Sequence, residues 1–122
     1  MKIRILGNSV RFRLTRSEVD TLCTKGYIED RTHFDSQVFT YAVKMEAHAK
    51  KLSAQFKDNT IILNLPLSLG ENWHRNEQVG FNGHMEIDRK NALSLLLEKD
   101  FICLDERLED QSDNYPNPKA TL

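Results

Sequence analysis

The sequence predicts a mainly β (α+β) domain: an antiparallel meander of about eight short strands, forming a curled sheet or small barrel, with one short helix after the first hairpin. Three observations predict it. Apolar and charged residues alternate from Lys2 to Leu14 with a period of two. Segments rich in β-branched and aromatic residues then recur at short intervals, separated by the turn formers Gly7-Asn8, Asp35-Ser36 and Asp58-Asn59. One strong helix-start signal, Thr15 with Glu18 three residues on, follows the first pair of strands.

A two-residue loop at Gly7-Asn8 pairs Leu6 with Ser9 and sets Ile5 opposite Val10 and Ile3 opposite Phe12, so both apolar pairs fall on one face. Thr15 and Glu18 make a capping box, Leu14 and Val19 a hydrophobic staple, and Gly26 a stop for the helix, which presents Val19, Leu22 and Cys23 to the core. Tyr27 to Phe34 and Val38 to Met45 read as the next two strands. Leu52 to Phe56 and Ile61 to Leu65 form a hairpin that matches Phe56 with Ile61, Ala54 with Leu63 and Leu52 with Leu65. Pro66 ends that strand, and Leu67 to His74 is a short helical segment weakened by Gly70. A last hairpin joins Gly80–Asp88 to Ala92–Ile102 through Arg89-Lys90-Asn91, with Ile87 opposite Leu93 and Met85 opposite Leu95. Residues 1–104 thus form one β-rich domain, and 105–122 an acidic, irregular or disordered tail that Tyr115-Pro116 is placed to pin back.

Lysine and arginine number 17 against 18 acids, which leaves no global field to attract nucleic acid or an anionic membrane. Neither is an expected partner. The amino terminus alternates charges where a signal peptide needs a continuous apolar stretch, so a cytoplasmic protein is expected. Cys23 and Cys103 belong to no CxxC pair and read as reduced thiols in or near the core; Arg107 near Cys103 leaves open some thiolate character there. The four histidines lack metal-ligand spacing, and no glycine-rich phosphate loop, GxSxG or HExxH occurs, so no catalytic residue, cofactor or metal is assigned.

The feature with most chemical content is charge. The register that makes the first hairpin's apolar face coherent also sets Arg4 opposite Arg11 and Lys2 opposite Arg13, and like charges directly across strands repel. Solvent, acidic neighbours or an anionic ligand must compensate. Glu86, Asp88, Glu98 and Asp100 on the last hairpin are the candidate acidic partners. Arg4, Arg11 and Arg13 are the candidate anion site, since a guanidinium fork matches carboxylate and phosphate geometry. Inside a barrel such residues would resemble the charged tunnels of enzymes acting on phosphorylated substrates. The first strand, however, reads Lys2-Ile3-Arg4 and lacks the carboxylates that hold the metal there. Trp73 and Arg75 interrupt the β pattern and are the candidate interaction surface, with a core-anchoring tryptophan as the competing reading.

The opening KIRILGNSVRFRLTRSEV, the middle Gln-Val-Gly-Phe (residues 78–81) and the ending LLLEKDFICL with Asn-Tyr-Pro-Asn-Pro resemble a family of small bacterial proteins classed only as a domain of unknown function. That resemblance implies a small bacterial cytoplasmic protein and carries no site residue. The expected function is a non-enzymatic binding or interaction module, acting on a protein partner or as a homo-oligomer. The alternative is a β-barrel that binds or transforms an anionic, phosphate-containing small molecule through the basic cluster.

Overall fold

In the computed structural model, which describes residues 1–102 and 111–117, the opening hairpin forms as β1 (Lys2–Ile5) and β2 (Ser9–Leu14). Its register is the expected one: Lys2 with Arg13, Ile3 with Phe12, Arg4 with Arg11, Ile5 with Val10. Helix α1 (Arg16–Lys25) starts on the full capping box, the Thr15 N–H donating to the Glu18 carboxylate at 2.9 Å. It stops at Gly26, whose φ of 80° is the left-handed conformation that glycine adopts without Cβ strain. The staple residues Leu14 and Val19 are both fully buried.

Strands β3 (Tyr27–His33) and β4 (Val38–Glu46) form the second hairpin, β5 (Ser53–Lys57) and β6 (Thr60–Pro66) the third. The third turns through Asp58 and Asn59 at φ 52° and 58°, the pair of positive angles of a type I′ turn, and keeps the expected pairs Phe56–Ile61 and Ala54–Leu63. After Pro66 come a single helical turn, α2 (Leu67–Gly70), and a 3-10 turn at Trp73–Arg75, then β7 (Gly80–Glu86) and β8 (Ala92–Lys99).

The eight strands and the helix are those expected, but the meander is not. The strands form two sheets of four, ordered β1-β2-β8-β7 and β3-β4-β6-β5, and neither closes into a barrel. Each sheet is two antiparallel hairpins joined by a parallel central pair, β2 with β8 and β4 with β6. The reason lies in the connections: the chain leaves the first sheet through α1 and returns only at Gly80, so β8 meets β2 running in the same direction. The last hairpin also differs in register, pairing Met85 with Leu93 and Gly83 with Leu95. Its turn begins earlier because the Asp88 carboxylate accepts the N–H groups of Lys90 and Asn91, both at 2.8 Å, and so belongs to the turn. The two-residue shift leaves every side chain on its expected face.

The sheets lie face to face with matching edges. β1 sits over the β3 side, where the Met1 ammonium meets Glu18 and Asp30 and the Tyr41 hydroxyl donates to the Met1 carbonyl. β7 sits over β5, where the Ala54 N–H meets the Met85 sulfur at 3.1 Å and a Cβ on Gly83 would stand 2.9 Å from that of Leu52. One apolar core spans both sheets: Val10, Phe12, Leu95 and Leu97 from one, Val43, Leu63 and Leu65 from the other. Val19, Leu22 and Trp73 close one end of it.

Part of the expected tail belongs to this unit. Tyr115 pairs with Phe101 in a parallel bridge, and Asp113 caps α1, accepting from the Ser17 hydroxyl at 2.6 Å while its carbonyl accepts the Arg16 N–H. Asn114 is buried. Cys103 and residues 104–110 and 118–122 lie outside the described residues.

Candidate basic face

Strand alternation decides which side chains share the outer face of the first sheet. The register puts Lys2 and Arg4 from β1, Arg11 and Arg13 from β2, Leu96 and Glu98 from β8, and Asn82, His84 and Glu86 from β7 on that one side. Because β2 and β8 are parallel neighbours, Arg13 stands directly beside Glu98. The Arg13 Nε donates to Glu98 Oε1 at 2.7 Å, and the Arg11 Nε lies 3.7 Å from the same oxygen. Asp100, only 2% exposed, holds the Lys2 ammonium at 2.9 Å. Among the described residues no carboxylate pairs with Arg4, which faces Arg11 across the hairpin. Lys2, Ile3, Arg4, Arg11 and Arg13 line a recess of about 290 Å3 at the β1 edge.

Among the described residues these four cations therefore meet two carboxylates, Glu98 and Asp100. Two of the four candidate acids are not at the site. Glu86 is exposed at the far end of β7, opposite Ala92, and Asp88 is spent on its turn. The arginines themselves lie on an exterior face, so the tunnel arrangement is not present.

Trp73 is fully buried, packed edge-on against Phe81 with ring centres 5.1 Å apart, its indole N–H donating to the Gln78 carbonyl at 2.8 Å. It anchors the core and cannot serve as an exposed contact; Arg75 alone of that pair is exposed. Cys23 is half-buried, its thiol donating to the Gly70 carbonyl at 3.4 Å and pushed up in pKa by burial, which keeps it protonated. Among the described residues no group of three or more His, Cys, Asp or Glu is placed to hold a metal ion, and no helix is long and apolar enough to cross a membrane.

One buried cation was not singled out by the sequence reading. Lys99 is 4% exposed, its ammonium donating to the Asn76 carbonyl at 2.7 Å and lying over the rings of Tyr115, at 5.0 Å, and Trp73, at 5.7 Å. Burial lowers its pKa and raises that of Tyr115 to about 12. The signal was available: Leu95, Leu97 and Lys99 share the inward parity of β8.

The fold and this face define a small two-sheet β domain with a cluster of basic side chains on the outer face of one sheet. A family model matches residues 1–119, and the chain belongs to that family, the family of unknown function DUF7009. Searches of the curated proteins and of the solved structures each find no match.

Proposed function

We propose that the protein is a binding module that takes an anionic group, phosphate or carboxylate, on the outer face of its first sheet. One observation carries the reading. Arg4 and Arg11 face each other across β1 and β2; among the described residues Asp100 holds Lys2, Glu98 bonds Arg13 and reaches Arg11 only at 3.7 Å, and no carboxylate meets Arg4. The recess of about 290 Å3 is at the small end of ligand sites, which suits one anionic group rather than a large ligand. Among the described residues the strands of this face present no Phe, Tyr or Trp on which a nucleic-acid base would stack, and Phe101 borders it only beside Arg13 and Glu98.

The test is thermal denaturation with inorganic pyrophosphate against sodium chloride at matched ionic strength. Chloride only screens the arginines, whereas a bound anion at tenfold its Kd adds about 1.4 kcal/mol. The expected result is a rise in Tm beyond the chloride control that is lost in Arg4→Ala and Arg11→Ala. Equal curves in the two salts for the wild type overturn the reading.

A further inference from the structure

Among the described residues, the end of the sandwich opposite α1 is open, and both sheets run out there with their inner, apolar faces uncovered. In the first sheet, Ile5 is 57% and Ile87 55% exposed; in the second, Phe56 is 69% and Phe34 66% exposed. Contacts between the elements place them together. β7 and β5 advance side by side from Gly83–Leu52 to Ala54–Met85, and Ile87 and Phe56 are the next residues of the same parity. Asn8 joins the β1–β2 turn, with exposed Leu6, to the start of β8 through the Ala92 carbonyl and the Ser94 N–H. Phe34 and Val38 line one recess at the β3–β4 turn. Six of the eleven large apolar side chains exposed among the described residues therefore crowd one end.

We propose that this end is the contact between two copies of the chain, joined end to end. The six side chains leave on the order of 600 Å2 of apolar surface in water. That is the upper end of what a monomer's largest patch reaches (~300–600 Å2) and close to the ~800 Å2 each partner buries in a standard interface. The charges around it favour a second copy over a charged partner. Asp35, Asp58, Glu86 and Asp88 are met by Lys57, Arg89 and Lys90 at the turns and by Arg4 beside Ile5, four charges of each sign, so the described rim has little net charge to repel its own image. The contact leaves the outer face of the first sheet free and stands independently of the anion-binding reading.

Sedimentation velocity of the full chain from micromolar to millimolar concentration tests it, with Phe56→Glu and Ile87→Lys as variants. The wild type is expected to reach about twice the 14.2 kDa chain mass. The variants are expected to stay monomeric with an unchanged Tm, since both side chains are exposed. A wild type that remains monomeric at millimolar concentration overturns the proposal, including one that instead takes up an apolar dye at this end. So do variants that dimerise as the wild type does.

Discussion

Arg4→Glu separates a face shaped for stability from one shaped for binding. In the wild type Arg4 stands directly across from Arg11, two residues from Lys2 on the same face, with no described carboxylate of its own. A directly opposed pair of opposite charge is worth roughly 0.2–1 kcal/mol and a like pair costs a similar amount, so the substitution exchanges a penalty for a gain. Both side chains reach solvent, which trims the total to about 0.5–1 kcal/mol at low salt. For a domain of this size that is a rise in Tm of about 2–5 °C. The assay is thermal unfolding by circular dichroism in low salt and again at high salt, where screening shrinks the gain. The same variant is expected to lose its response to pyrophosphate. A variant that is less stable than wild type at low salt, or more stable yet still anion-responsive, refutes the reasoning.

Other outcomes follow from the interior. In a spectrophotometric titration one tyrosine ionises near pH 12, and that step disappears in Tyr115→Phe. Since the unfolded chain loses this proton first, Tyr115 makes stability fall as pH rises from about 10 to 12, and Tyr115→Phe flattens that fall. Lys99 acts oppositely: its folded pKa is lowered, so between that value and 10.5 the unfolded chain holds the extra proton and stability rises with pH. Urea midpoints of wild type should therefore gain on those of Lys99→Met as pH increases through this window. Gly83→Ala brings a Cβ to 2.9 Å from that of Leu52 where the sheets meet, and should cost about 1–3 kcal/mol of overpacking in urea denaturation. Thr15→Ala removes one arm of the capping box and should cost about 1 kcal/mol in the same assay.

What the sequence shows clearly is whatever short-range chemistry decides. The Gly7-Asn8 and Asp58-Asn59 turns fix two hairpins with their registers, and Thr15, Glu18 and Gly26 bound α1. The basic cluster was legible for the same reason, since it is a consequence of one hairpin's register. How hairpins associate is set by contacts far apart in the chain, and alternation looks the same in a parallel and an antiparallel neighbour, so the two sheets and their parallel centres were not legible. Asp88 shows a local ambiguity: the residue type suits both a strand face and a turn cap, and the cap prevails because it satisfies two backbone N–H groups at once. Trp73 was legible as core or surface but not which, because burial depends on Phe81 and on the Gln78 carbonyl.

The parallel pair β2–β8 is what turns a hairpin with repelling arginines into a graded surface. Had the last hairpin joined in the expected meander, Glu98 would not stand beside Arg13 in this register. As built, compensation runs out along the sheet: Asp100 holds Lys2, Glu98 holds Arg13 at 2.7 Å and reaches Arg11 only at 3.7 Å, and no described carboxylate reaches Arg4. A fold that needed only to neutralise this face could place an acid at position 4, and the open β1 edge imposes no packing reason against it. An arginine there faces another arginine without filling the core, and on the anion-binding reading proposed above a bound anion would offset that repulsion.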